Sequence, residues 1–111
     1  MQTAINYDTA FNALGDATRR SIFEKLRHGP LSVVHIAEGM AVSRPAVSQH
    51  LKVLKEAKLI SIHQQGTRSI CELNKEGILA MRDYLDNFWD QALTNFKALV
   101  EQEEANKTNN K

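Results

Sequence analysis

The chain has 111 residues, 42% apolar and 24% charged, with a formal net charge of +1; that describes one small domain, of a size that gains from pairing with a second copy. No apolar run approaches the roughly 20 residues of a membrane span, and MQTAINYDTAF lacks the basic-then-apolar order of a secretion signal. The lone Cys71 has no disulfide partner within the chain, which fits a reducing compartment. A cytosolic protein with no membrane partner is expected.

From about residue 4 to 14, Tyr7, Phe11 and Leu14 recur at i, i+4, i+7 and predict a short amphipathic helix. Gly15 ends it, and Asp16 is placed to cap a second helix whose buried face is Ile22, Phe23 and Leu26. Gly29 and Pro30 stop that helix, and Ser32 caps a third, with Val33, Ile36 and Ala37 turned inward. Four residues later a fourth helix opens, so the pair reads as a helix-turn-helix.

The fourth helix comes from SRPAVSQHLKVLKEAKLI. Ser43 is its N-cap, and Pro45 lies in the first turn, where a missing N–H costs nothing. Val47, Leu51 and Leu54 form the core stripe, and Arg44, Ser48, Lys52 and Lys55 are expected near the opposite side, with Gln49 beside them. LISIHQQGTRSICEL then alternates in the manner of a two-stranded hairpin, with turn chemistry at Gln65-Gly66 and Arg68 close to the tip. Asn74 caps a final helix predicted over about 75–102, with an apolar stripe from Ile78 through Leu85, Phe88, Ala92 and Phe96 to Leu99. At 1.5 Å per residue it would span roughly 40 Å, more than the domain's own core needs. The polar remainder, 103–111, is expected to be a disordered tail. The fold expected is mainly α with a small two-stranded β-wing, a winged helix-turn-helix filling residues 1–102.

The near-zero net charge hides an asymmetry. Between residues 41 and 70 stand Arg44, Lys52, Lys55, Lys58 and Arg68 against Glu56 alone, whereas the last helix is acidic. A basic block of this kind suits a polyanion. Within it, Arg44 has the geometry for phosphate or guanine and Gln49 for a bidentate pair with adenine. Ser48 and His50 add hydrogen bonds, although His50, flanked by core positions, also reads as partly buried structure. Lys52 and Lys55 suit phosphates. Gln65, Thr67 and Arg68 on the wing can reach a neighbouring groove or phosphate.

The segment SRPAVSQHLKVLKEAKLI, the QQGTRSICELN wing and the preceding LGDATRRSIFEKLRHGPLSVVHIAE together resemble the ArsR family of bacterial transcriptional regulators over about residues 8–101. Ser43, Arg44, Ser48, Gln49 and His50 match that family's S-x-x-x-V-S-x-H segment. The resemblance implies a homodimer built from the first and last helices, with double-stranded DNA as partner and repression by operator binding. The apolar residues that would join two copies are Tyr7, Phe11, Leu85, Phe88, Trp89, Ala92 and Phe96.

Many members of that family sense metal, and here the ligands depart from the pattern. The family's cysteine pair on the third helix falls at Ser32 and Val34, neither of which is a thiolate. Residues 75–111 hold no histidine, and His28, His35, His50 and His63 are scattered one per element. Asp83, Asp86 and Asp90 form an acidic row that reads as a solvated face. No metal and no cofactor are therefore expected, and Cys71 reads as a small buried residue of the wing. No nucleophile–base pair or phosphate loop suggests an enzyme. Two alternatives stay open: a winged helix used only for protein contacts, and a repressor released by an inducer of unknown identity.

Overall fold

The computed structural model describes residues 5–109, so the first four residues of the expected domain and the last two of the expected tail lie outside it. Two compact units divide the chain, one ending at Ala80 and the other beginning at Met81. The first contains helices α1 (Tyr7–Gly15) and α2 (Ala17–Lys25), a 3₁₀ turn (Leu26–His28), strand β1 (Leu31–Ser32), helices α3 (Val33–Glu38) and α4 (Arg44–Glu56), and strands β2 (Ile60–Gln65) and β3 (Arg68–Leu73). Helix α5 (Lys75–Asn109) begins in this unit and supplies all the described residues of the second.

Every helix start is fixed by a side chain three residues ahead of the amide it receives. Asn6 Oδ1 accepts from the Thr9 N–H at 3.1 Å, Asp16 Oδ1 from Arg19 at 3.0 Å, and Ser32 Oγ from His35 at 3.1 Å. Ser43 Oγ accepts from Ala46 at 3.3 Å and Asn74 Oδ1 from Gly77 at 3.1 Å. Each satisfies an amide that the helix leaves unpaired, a contribution of about 1 kcal/mol. Four of these caps follow from the sequence; Asn6 does not. At the far end of α1 the free carbonyls are covered by the next helix: Arg19 Nε donates to Ala13 O at 2.8 Å and Arg20 Nη1 to Leu14 O at 2.9 Å. Those two arginines serve the α1–α2 corner.

The core gathers the apolar stripes. Ala10 and Ala13 of α1, Ile22 of α2, Ile36 of α3, and Val47, Leu51 and Leu54 of α4 are buried with Leu26, Leu59 and Ile60. Alanines on α1 let its backbone approach closely; α1 is packed against α2 and α4. Tyr7 ties α1 to the start of α5 by donating its O–H to the Ala80 carbonyl at 3.4 Å.

The sheet has three strands, in the order β1-β3-β2, where two were expected. β2 and β3 are antiparallel from Ile60↔Leu73 to Gln65↔Arg68, and β1 adds Leu31↔Cys71 and Ser32↔Ile70 on the other edge of β3. Two residues are too short to alternate visibly, so β1 carries no periodic signal; the free edge of β3 creates it. β3 buries consecutive residues, Ile70 and Cys71, whose side chains project to opposite faces. At the tip, Gly66 has φ +64° and Thr67 does not, the pattern of a type II′ turn, whose twist matches the strands it joins.

Cys71 is fully buried, and loss of solvation pushes its thiol from 9.0 up to about 11. The raised value means that the fold favours the neutral thiol. This contribution is intact below about pH 9 and is lost as pH rises toward 11. Two units correspond to about 100-fold less thiolate. Alkylation by iodoacetamide at pH 8 is therefore expected to be at least ~100-fold slower in the native protein than in urea; comparable rates would place the thiol at the surface.

Helix α4 ends in a Schellman arrangement, with Lys58 N–H on Lys55 O at 3.0 Å and Leu59 N–H on Leu54 O at 3.1 Å. Lys58 takes the left-handed position, φ +65°, that glycine usually fills. The first turn of α5 lies against this corner: Asn74 N–H donates to Leu59 O at 2.9 Å, and Gly77 is packed on the Lys58 carbonyl.

Beyond Ala80 α5 runs on as a single helix to Asn109, past the end expected at about 102, so that 103–109 are helical. Glu, Gln, Ala and Lys are good helix formers and Glu103–Lys107 has favourable i, i+4 spacing; a search for apolar periodicity misses such a segment. In this second unit Leu85, Phe88, Trp89, Leu93, Phe96 and Leu99 are between 42% and 65% exposed, and Ala92 is half-buried. No helix among the described residues is long and apolar enough to cross a membrane.

Candidate nucleic-acid interface

Helix α4 has three faces. Successive residues turn about 100°, so the buried trio Val47, Leu51 and Leu54 fixes the inward direction. Gln49 and Glu56 then point most directly outward, with Lys52 close by. Arg44, Ser48 and Lys55 lie along one flank of the core stripe, and His50 along the other. The flank placement corrects the expectation that Arg44, Ser48, Lys52 and Lys55 together occupy the side away from the core.

Exposure agrees with this geometry. Ser43, Arg44, Ser48, Gln49, Lys52 and Lys55 are exposed, while His50 is half-buried. His50 lies near Asp16, the cap of α2. The carboxyl of Asp16 is held below its ordinary value, first by the Arg19 amide hydrogen bond and the Arg19 charge, and also by His50. His50 is thus half-buried on α4 with Asp16 close enough for its charge to be felt.

The wing completes the surface. Gln65, Thr67 and Arg68 are exposed at its tip. A groove of about 360 Å³ runs between wing and helix, lined by Arg44, Ser48 and Leu51 of α4, by Ile62, Thr67, Arg68 and Ser69 of the wing, and by residues 32–34. The structure thus brings Arg44 and Ser48 together with Thr67 and Arg68 in one groove. Gln49, Lys52 and Lys55 stand outside it on the open face.

Two residues of this groove escape a reading of the sequence. Ser69 is one: it faces Gln64 across the hairpin and accepts from Gln64 Nε2 at 2.8 Å. Register could have found it. Val34 is the other, 45% exposed on α3 and outside the inward set Val33, Ile36 and Ala37; nothing in the sequence marks it as part of the groove.

The positions that would carry a metal are occupied otherwise. Ser32 is buried and spends its hydroxyl oxygen on the α3 cap, and Val34 faces the groove. Among the described residues no three His, Cys, Asp or Glu side chains are grouped to hold an ion. The apolar residues expected to join two copies are spread over both units. Tyr7 is half-buried and Phe11 39% exposed on α1, while Leu85, Phe88, Trp89, Ala92 and Phe96 follow one another along α5.

Known proteins match this arrangement. The helix-turn-helix domain family matches residues 14–63. The chain is 50% identical over 103 residues to the HTH-type transcriptional regulator Rv2034 of Mycobacterium tuberculosis, covering 93% of this chain and 96% of that one. It is 35% identical over 81 residues to the transcriptional repressor SdpR of Bacillus subtilis, covering 73% and 90%. The crystal structure of an ArsR family transcriptional regulator superimposes with a TM-score of 0.68 at 28% identity, covering 77% of this chain and 88% of that one. Wing, helix-turn-helix and overall identity agree: the chain belongs to the ArsR family of helix-turn-helix transcriptional regulators.

Proposed function

We propose that the protein is a dimeric repressor that binds an imperfect palindrome near its own promoter and does so without a metal signal. The observation that carries this is the outward face of α4, where Gln49 and Lys52 stand free of the core and the wing raises Arg68 beside the same helix. Two copies joined through α1 and α5 would set their α4 helices into successive major grooves, about one helical turn apart. Gln49 would read bases, while Ser43, Lys52, Lys55 and the wing would hold the backbone. Repression is the output named for the Bacillus subtilis relative, and a dimer seated over a promoter excludes polymerase. The absence of thiolates at positions 32 and 34, and of histidine from α5, supports independence from metal.

Fluorescence anisotropy on duplex DNA from upstream of the gene, against random duplex, tests this across a salt series with and without Zn²⁺. Tighter binding to the upstream duplex, unaltered by Zn²⁺, is the expected result; equal binding to both duplexes would sink sequence-specific regulation. Within the same experiment Gln49→Ala should lose about 1–3 kcal/mol on the upstream duplex and almost nothing on random DNA. Equal losses on both would remove Gln49 from base reading.

A further inference from the structure

We propose that Arg44 and Arg68 grip one and the same phosphate of the DNA backbone, held in the groove between α4 and the wing. This deepens the reading of the chain as a DNA-binding regulator and rests on it. The two arginines come from different elements, yet both line a single groove of about 360 Å³. Among the described residues neither has an ion-pair partner, and no carboxylate lines the groove. Two positive side chains beside one groove that holds no counter-charge make it a seat for an anion.

The hydroxyls point the same way. Ser69 Oγ already accepts from Gln64 Nε2, and Ser32 Oγ from the His35 amide, so each has its proton left to donate. Ser48 and Thr67 add two more O–H groups. The groove therefore offers donors and positive charge over a floor of Leu51, Ile62 and Val33. An apolar floor excludes water and strengthens the contacts above it. A tetrahedral anion is the ligand this set fits, since guanidinium forks pair bidentately with phosphate oxygens.

DNA is the source because the groove opens beside the outward face of α4. A duplex laid against Gln49 and Lys52 carries one strand past Arg44 and Arg68. Its volume exceeds that of a bare phosphate and leaves room for the flanking sugars. The consequence is a division of labour on α4. Arg44, whose geometry suits guanine or phosphate, is committed to phosphate and sets register, and base reading is left to Gln49.

Counterion release distinguishes one shared phosphate from two. Each neutralised phosphate contributes about 0.9 to the slope of log K against log salt. Arg44→Gln, Arg68→Gln and the double variant would be titrated by anisotropy on the upstream and random duplexes. The double variant is expected to lower the slope by about 0.9 per protomer on both duplexes, whereas separate phosphates predict about 1.8. Arg44→Gln combined with Lys52→Gln, which lies outside the groove, should reach the additive value. As a second measurement, single methylphosphonates would be scanned through the upstream duplex. One position per half-site should weaken the wild type about tenfold and leave both arginine variants unaffected. Additive slopes, or different sensitive positions for the two variants, would overturn the shared site while leaving the regulator intact. Binding of inorganic phosphate in the groove with no change in either DNA slope would overturn it equally. A wild type with no salt-dependent binding to either duplex would remove the DNA reading itself.

Discussion

Gly77→Ala is expected to lower the stability of the protein by about 3 kcal/mol, close to the upper end for overpacking by one methyl group. Ordinarily the change would help, because alanine is favoured over glycine within a helix by about 1 kcal/mol. At this position the added Cβ runs into the carbonyl of Lys58, which is backbone and has no rotamer into which to retreat. Relief would require either the first turn of α5 or the left-handed corner at Lys58 to move. Both are pinned, α5 by the Asn74 cap and the Asn74–Leu59 hydrogen bond, the corner by the Schellman bonds that close α4. Urea denaturation of the two proteins measures the difference directly. A variant as stable as the parent would mean that the corner relaxes at little cost.

Trp89→Asp is expected to weaken association of two copies by at least about 100-fold, or some 3 kcal/mol. On α5 the indole is 55% exposed and meets Phe88 edge to face, with ring centroids 5.6 Å apart. Phe96 is 65% and Leu93 59% exposed on the same helix. Monomeric proteins seldom leave so much apolar surface in water, and in the proposed dimer a second copy would cover it. A carboxylate in the middle of such an interface loses its hydration without gaining a partner. Sedimentation velocity over a concentration series reads the change, with Trp89→Phe as the mild comparator. If the Asp variant still sediments as the parent does, the two copies meet elsewhere.

What the sequence discloses depends on how local the cause is. The caps at Asp16, Ser32, Ser43 and Asn74 are local, each one side chain and one amide three residues on, and all four are present. The recognition helix is equally legible because a proline, a cap and an apolar stripe agree on its start and its face. Other features depend on distant partners. β1 exists because β3 has a free edge some 40 residues later in the chain. Lys58 adopts a conformation that its residue type disfavours, and only packing reveals it. The extension of α5 to Asn109 rests on backbone propensity, to which an apolar-period search is blind.

The candidate site divides along the same line. Which residues are polar and exposed near α4 and the wing could be read off directly. Which of them share a groove could not, because that depends on how the hairpin lies against α4. The flank position of Arg44 and Ser48 needs only careful counting from the buried trio. Ser69 needs only the hairpin register, whereas Val34 needs the tertiary structure.

The third strand has a mechanical consequence. Pairing with β1 reaches only Ile70 and Cys71, so β3 is clamped from both edges at its middle while the stretch from Gln65 to Arg68 is held by β2–β3 pairing alone. Such a hairpin is a cantilever, fixed at its root and compliant at its end. Deflection is greatest at Arg68, the residue that meets DNA in the proposed complex, and least at Cys71, embedded in the core. A stiff root keeps the arm aimed, and a yielding tip lets it follow the differences in backbone path between one binding sequence and another.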